Sequence, residues 1–211
     1  MDILSGLGAI LGVSWASGVR LYLTVAVLGV ASRLGMIHLP GSLSVLENPI
    51  VILAALGLLV VEFLADKVPY VDSAWDSVHT FIRPGAAAAM GYMGSSAASE
   101  PVQVALGLLC AAVALDSHLT KATARVAINT SPEPFSNIIT SFSEDGMVLL
   151  AIYMAVRHPV IAGIAVILFV LFSIWFIGMM FRFAVKIFSF LFKKQEGTIN
   201  GEKAERVQDA G

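Results

Sequence analysis

Long apolar segments make up most of the chain, and short polar segments separate them. The longest apolar segment, Val160 to Phe181, has 22 residues and no charged side chain. A helix rises about 1.5 Å per residue, so this segment is long enough to cross the ~30 Å hydrocarbon core of a bilayer. The same pattern predicts further helices at about residues 4–37, 49–65, 70–83, 84–99, 100–126 and 147–156.

A stretch of 31 residues recurs fifty residues later without a gap. Ala55–Leu59 reappears as Ala105–Leu109, Asp66 aligns with Asp116, and nine of the 31 aligned positions are identical. This predicts an all-α integral membrane protein with an internal direct repeat of two helical hairpins. The repeat units cover about residues 50–99 and 100–158, and helices at about 4–37 and 159–194 flank them.

The composition agrees with a membrane location. The chain is 57% hydrophobic and only 13% charged, with a mean hydropathy of +0.84, whereas a water-soluble domain needs more charge on its surface. A net charge of −2 without a basic and aromatic patch gives no reason to expect a nucleic-acid partner. The single cysteine, Cys110, excludes an intramolecular disulfide and a cysteine-rich metal site.

Positive charges predict the orientation in the membrane. A basic group follows the last apolar segment and places the C-terminus in the cytoplasm. Its members are Arg182, Lys186, Lys193 and Lys194. If residues 84–99 cross the membrane or re-enter it, the chain has about six crossing or re-entrant helices and both termini are cytoplasmic. The polar tail, residues 195–211, is predicted to be disordered.

Two stripes run along the predicted helix at residues 70–83. One is apolar, and the other carries four polar residues at spacings of four, three and four: Asp72, Asp76, His79 and Arg83. An interfacial helix with a solvated polar face would show this pattern. A face directed into a water-filled vestibule would show it equally, and these residues would then bind a substrate or an ion.

Asp66 and Asp116 are the second candidate pair. Each ends or interrupts an apolar stretch, and intramembrane acids usually serve a function. Being equivalent in the repeat, they are predicted to lie near a common axis, where two carboxylates can share a proton or bind a cation. The alternative is that both lie at the headgroup level, where an ionised carboxylate is tolerated.

Basic residues within the helices suggest anion contacts. Arg20 lies in the middle of an apolar segment and is predicted to pair with Glu62 or Asp66. A further basic face lies on the helix at 100–126, and its members are His118, Lys121 and Arg125. The rule that cytoplasmic loops are positively charged also explains Lys121 and Arg125.

The run Thr130-Ser131-Pro132-Glu133-Pro134 contains a capping residue and prolines suited to a first helical turn. It predicts a helix directed back into the membrane, and its repeat partner Thr80-Phe81-Ile82-Arg83-Pro84 predicts another. Two helix N-termini at one site would attract anions. Arg83 aligns with Glu133 and is predicted to pair with it. Asn129 and Asn137 complete the predicted site, and the alternative is an ordinary helix cap on a loop.

Three runs resemble those of a family of small bacterial and plastid membrane proteins that is catalogued as a domain of unknown function. They are Gly18–Tyr22, Ala65–Pro84 and Asn129–Asn137. The resemblance covers residues 5 to 185 and implies a helical membrane protein, here of the bacterial inner membrane. Residues 81–85 also resemble, over a short stretch, the re-entrant arginine-proline segments of DedA-type polyprenyl-phosphate flippases.

These observations favour a transporter or flippase for a small solute, an ion or a lipid phosphate, with Asp66 and Asp116 as candidate sites for coupling to protons or another cation. Three alternatives remain: an oligomeric passive channel, an intramembrane lipid-modifying enzyme that uses His79 or His118 as an acid–base group, and a non-catalytic assembly subunit. Hydrolase, kinase and zinc motifs are absent from the sequence, so neither a metal nor a cofactor is expected. The expected partners are the lipid bilayer, the substrate and further copies of the chain.

Overall fold

The structure is a computed structural model that describes residues 3–129 and 134–208. Every regular element within these residues is a helix, as the sequence predicts. The elements are α1 (Ile3–Val19), α2 (Leu21–Arg33), a 3-10 helix (Gly41–Glu47), α3 (Pro49–Ala65), α4 (Pro69–Gly94), α5 (Glu100–Asn129), α6 (Pro134–Arg157) and α7 (Pro159–Gln208). The side chain of Asn48 accepts a hydrogen bond from the Ile50 amide and so caps α3, with Pro49 in the first turn.

Three helical segments in the described part of the chain are long and apolar enough to cross a membrane. They are Glu100–Ile128, Phe135–Arg157 and Pro159–Lys186. The 3-10 helix and α3 meet at 66° and make a fourth if they form one span. Large apolar side chains also face outward, and Phe81, for example, is 81% exposed. Three or four spans are therefore supported by length and composition, whereas the sequence predicts six crossing or re-entrant helices.

Helix α4 continues through Pro84, where the sequence predicts that a new helix begins. An interior proline removes one backbone hydrogen bond, a loss that neighbouring helices compensate in membrane proteins. The Thr80 hydroxyl donates to the Asp76 carbonyl one turn earlier, so Thr80 does not cap a helix start. The predicted turn at Thr80 and Pro84 is wrong, as is the predicted separate segment at residues 84–99.

Two other boundaries also differ from the predictions. Helix α6 is continuous from Pro134 to Arg157, whereas the apolar pattern predicts a helix only at residues 147–156. Helix α7 continues to Gln208, so the tail predicted to be disordered from residue 195 is helical up to that residue. Pro134 is the first residue of α6, in agreement with a helix start at this proline, whereas residues 130–133 lie outside the described part.

The N-terminal helix is broken at Arg20, where the sequence predicts one helix up to residue 37. The Arg20 backbone, with φ −143° and ψ 84°, is not helical. Gly6 of α1 and Leu28 of α2 line the same cavity, whereas a straight helix would hold them about 33 Å apart. Helix α2 therefore turns back beside α1, and we call this unit, Ile3–Arg33, the Arg20 hairpin.

The chain divides into two compact units after Ser173. The first contains α1 to α6 and the first part of α7. Within it, the beginning of α1 lies against the beginning of α7, because a Cβ atom at Gly8 would overlap the Pro159 carbonyl. The second unit is the continuation of α7. All residues of the site described below belong to the first unit.

Candidate functional site

Nine charged side chains meet where the Arg20 hairpin, the end of α3 and the first half of α6 come together with α4 and α5. Eight are nearly inaccessible to solvent, and the side chain of Asp145 is 24% exposed. We call this group the ion-pair cluster. Its members are Arg20, Arg83, Lys121, Arg125, Glu62, Asp66, Asp76, Glu144 and Asp145.

Arg20 uses its whole guanidinium group in the cluster. Nη1 pairs with Asp66, Nε lies 2.9 Å from Asp145 Oδ1, and Nη2 donates to the Ser141 hydroxyl at 2.6 Å. Nη2 also lies 3.5 Å from Glu144 Oε2. The predicted partner Asp66 is thus confirmed. Because the tip of the hairpin is not helical, Arg20 reaches two helices that are distant in sequence.

The acids that pair with Arg20 form one half of the cluster, and Arg83 with Glu62 and Asp76 forms the other half. Its Nη2 lies 2.6 Å from Glu62 Oε1, and its Nη1 lies 3.3 Å from Asp76 Oδ1. Nη1 also donates to the Gly18 carbonyl at 3.2 Å and to His118 Nδ1 at 2.6 Å. The sequence instead predicts a pair with Glu133, which lies outside the described residues.

Arg125 holds α5 against α6 through a two-point contact. Its Nε and Nη2 lie 2.8 and 2.9 Å from the two oxygens of Glu144, a geometry that only arginine provides. Nη2 lies 3.3 Å from Asp66 Oδ2 as well. Asp66 therefore forms ion pairs with both Arg20 and Arg125, and the two arginines share one carboxylate.

Lys121 lies between the two halves of the cluster. Its ammonium group is 3.5 Å from Glu144, 3.8 Å from Asp76 and 4.0 Å from Asp66. It also donates to the Val19 carbonyl at 3.4 Å. Four acceptors within reach of three donor protons mean that this group can change partners with small movements.

The broken helix supplies polar backbone groups to the cluster. The last carbonyls of α1 have no partner within their helix, and they carry the partial negative charge of the helix C-terminus. The Gly18 carbonyl accepts from Arg83 and the Val19 carbonyl accepts from Lys121. The Arg20 hairpin is thus fixed to α4 and α5 by cations that bind the carbonyls at the end of α1.

The two histidines beside the cluster donate from different ring nitrogens. Arginine can only donate, so His118 Nδ1 accepts from Arg83, and its Nε2–H donates to the Asp76 carbonyl at 3.1 Å. His79 Nδ1 donates to the Trp75 carbonyl at 2.7 Å, and its Nε2 forms a hydrogen bond with the Tyr22 hydroxyl at 2.9 Å. Neither ring has a free nitrogen for acid–base chemistry in this arrangement.

The cluster contains more acid than base. Five carboxylates face four cations, and Asp72, on the same face of α4, is a sixth buried acid. Burial raises the pKa of the Asp66 carboxyl, but the basic side chains around it, led by Lys121 and Arg20, outweigh this effect and hold its pKa below the ordinary value. Asp66 is therefore ionised between its basic neighbours.

Asp116 is not part of the cluster. Among the described residues it has no hydrogen bond or ion pair to any cluster member, and its Oδ1 lies 2.6 Å from the Ser173 hydroxyl. Asp66 follows the last residue of α3, whereas Asp116 lies inside α5. The two acids therefore have different positions on their helices and share no hydrogen bond or ion-pair partner among the described residues.

The predicted polar faces of α4 and α5 are both buried. Asp72, Asp76, His79 and Arg83 are at most 5% exposed, so the alternative of a solvated interfacial face is wrong. The face formed by His118, Lys121 and Arg125 is also buried, but its cations are bound to acids of the protein instead of being free for an anion.

Thr130, Pro132 and the Asn129 side chain lie outside the described structure. Asn137 is buried, and its backbone carbonyl accepts a hydrogen bond from Arg125 at 3.4 Å.

Sequence reasoning missed the contribution of α6, namely Ser141, Glu144 and Asp145. A signal for two of them is present. Asn137, Ser141 and Glu144 follow the first residue of α6, Pro134, by three, seven and ten positions. Asp72, Asp76 and His79 follow Pro69, the first residue of α4, by the same spacings. Each helix thus begins at a proline and directs the same stripe into the protein.

Two cavities in the described part of the chain lie away from the ion-pair cluster. One of 400 Å³ is lined by apolar residues such as Trp15 and Phe169, and another of 380 Å³ lies along the first half of α1. No cluster residue lines either cavity. Among the residues described, no group of three or more His, Cys, Asp or Glu side chains is arranged to hold a metal ion.

A family model for a domain of unknown function, DUF4126, matches residues 7–178. The match covers most of the sequence, and the chain belongs to this family, as the runs at 18–22, 65–84 and 129–137 predict. No curated protein and no solved structure matches the sequence. The local resemblance of residues 81–85 to DedA-type flippases finds no support in these comparisons.

Proposed function

We propose that this member of the DUF4126 family is a membrane transporter for a small polar solute, and that the ion-pair cluster is its substrate site. One observation carries the proposal: each cation of the cluster contacts two or more acceptors inside an apolar bundle. A purely structural ion pair needs one partner, and buried pairs give little net stability. A network with alternative partners can open towards a substrate and close again without leaving a charge unpaired.

The Arg20 hairpin is the element that we expect to move. Its tip contacts the other helices through polar groups, namely the Arg20 side chain and the Gly18 and Val19 carbonyls. Broken helices with polar ends at a central site are a common construction in transporters. Exchange of Lys121 between Asp76 and Glu144 would loosen the tip from one half of the cluster while the other half holds it.

The proposed topology has five crossings, α3 to α7, and a re-entrant Arg20 hairpin. The basic residues after the last span favour a cytoplasmic C-terminus in a bacterial inner membrane. Because Gly8 lies against Pro159, at the start of α7, we place the N-terminus at the outer surface instead of in the cytoplasm. The hairpins α3–α4 and α5–α6 then enter in the same direction, as a direct repeat requires, and the equal spacings after Pro69 and Pro134 support such a repeat.

Asp116 is the proposed site of proton coupling. It lies within the span Glu100–Ile128, and a serine hydroxyl is its neighbour instead of a cation. Ser173 has one proton but lies within hydrogen-bonding distance of both Asp116 and the Val170 carbonyl. Both contacts are satisfied at once when Asp116 is protonated and donates to Ser173, which then donates to Val170. An uncompensated charge at this depth would be costly, so the neutral acid is favoured.

The test uses the purified full chain in liposomes loaded with the pH indicator pyranine. Amino acids, polyamines, sugars and organic acids are added singly to the outside. We expect at least one solute to change the internal pH only when the protein is present, and we expect Asp116→Asn to abolish this change. Glu100→Gln, which removes an exposed acid from the same helix, is expected to behave like the wild type.

Two results would contradict the proposal. If no solute in the panel changes the internal pH while a steady ionic current flows, the protein is a passive channel. If the solute-driven pH change is the same in Asp116→Asn as in the wild type, protons do not couple through this residue. Uptake of the radiolabelled solute, measured in parallel, separates loss of coupling from loss of transport.

A further inference from the structure

The 380 Å³ cavity has almost entirely apolar walls. It lies between the first half of α1, the segment after α2, and the ends of α4 and α6, where Gly6, Ile10, Leu28 and Met90 are among its lining residues. Only three polar side chains line it: Ser14, His38 and Arg157. The Ser14 hydroxyl donates to the Ile10 carbonyl of its own helix and is satisfied.

Arg157 is the last residue of α6 and is exposed beside this cavity. Among the described residues no carboxylate lies within ion-pairing distance of it, and it donates no hydrogen bond. His38 likewise has no polar partner there. The cationic residues of the ion-pair cluster, by contrast, are all bound to acids. The cavity thus combines an apolar interior with an unpaired cation beside it.

We propose that this cavity binds one acyl chain of an anionic phospholipid, whose phosphate contacts Arg157. Its volume is within the range of ligand pockets, about 300–1,000 Å³. Apolar walls would leave a polar solute without hydrogen bonds, whereas an acyl chain needs none. Arginine at the end of a long apolar helix lies at the depth of the lipid phosphates, where it forms strong charge-assisted hydrogen bonds.

The surrounding bilayer supplies this phospholipid. The protein belongs in a membrane by its apolar spans, so phospholipid is present at its surface at high concentration. A phospholipid can insert one chain into the cavity and leave the other in the bilayer. This site is separate from the ion-pair cluster, and the lipid would act as a bound structural component instead of a transported solute.

The test measures lipid binding to the purified, delipidated full chain by native mass spectrometry. Phosphatidylglycerol and phosphatidylcholine with identical acyl chains are titrated in parallel. We expect phosphatidylglycerol to bind more tightly, and Arg157→Gln to reduce this preference about fivefold, the effect of one basic residue near an anionic lipid. Arg182→Gln, which removes an exposed arginine of α7, is the control and is expected to retain the preference.

A second variant tests the cavity itself. Gly6 lines the cavity and nothing lies within 4 Å of a Cβ atom there, so Gly6→Phe introduces its ring at the cavity wall without a clash at the Cβ. We expect it to weaken the binding of both lipids. Gly57→Phe, at another open position that does not line the cavity, is the matched control. Equal binding of both lipids to the wild type, or unchanged binding to Gly6→Phe, would overturn the proposal.

Discussion

Arg20→Gln is expected to lower the free energy of unfolding by about 3–5 kcal/mol, the cost of removing one partner from a buried ionic network. The substitution leaves Asp66 without its closest cation and Asp145 without its only ion-pair partner among the described residues. Arg20→Lys is expected to lower the free energy of unfolding as well. One ammonium group cannot reach Asp66, Asp145 and the Ser141 hydroxyl in three directions, as a guanidinium does.

The measurement is reversible unfolding of the detergent-solubilised protein by a denaturing detergent, followed by circular dichroism. Arg33→Gln is the matched control, because Arg33 is exposed and donates only to the Glu47 carbonyl, at 3.2 Å. A change below about 1 kcal/mol is expected there. In the double variant Arg20→Gln/Asp66→Asn, the loss is expected to be smaller than the sum of the two single losses. Equal stability of Arg20→Gln and Arg33→Gln would contradict the described network.

Gly18→Ala is expected to lower the free energy of unfolding by about 1–3 kcal/mol, a typical cost of overpacking. An added Cβ would overlap the Ser117 hydroxyl and the Ala114 carbonyl of α5, and one of these atoms belongs to the backbone, which cannot simply rotate away. Separation of α1 from α5 would also lengthen the hydrogen bond from Arg83 to the Gly18 carbonyl, so the loss extends into the ion-pair cluster.

Gly57→Ala provides a control with the opposite sign. Gly57 lies inside α3, and no atom lies within 4 Å of the position of its Cβ. Alanine stabilises a helix interior by about 0.5–1 kcal/mol relative to glycine, so this variant is expected to be slightly more stable than the wild type. Both variants are compared in the unfolding experiment described for Arg20. A stable Gly18→Ala protein would mean that α1 and α5 are further apart than the structure indicates.

Most helices could be predicted from the sequence, because apolar length and proline positions are local properties. Pro49 opens α3, and the stripe from Asp72 to Arg83 lies on one face of α4, as its spacing requires. The direction of that face could not be predicted. The same spacing suits a solvated helix and a buried one, and only the positions of α5 and α6 decide between them.

The fifty-residue register of the predicted repeat does not correspond to the helix boundaries. It aligns Asp66 with Asp116, and Pro84 with Pro134, although Pro84 is inside α4 and Pro134 begins α6. Identity in the apolar stretches fixed the alignment, and apolar stretches of similar composition match in several registers. The partners of Arg20 on α6 depended on a contact across more than half of the chain, which no local pattern contains.

The Arg20 hairpin also has a consequence for the order of assembly. Arg20 is synthesised early, whereas Glu144 and Asp145 belong to α6, and the ribosome takes roughly 6–25 s to reach them at 5–20 residues per second. During that interval the positive charge of Arg20 cannot pair with the acids of α6 within the lipid. We therefore expect the first thirty or so residues to remain at the membrane surface at first. They enter the membrane last, after the translocation machinery has inserted the later helices.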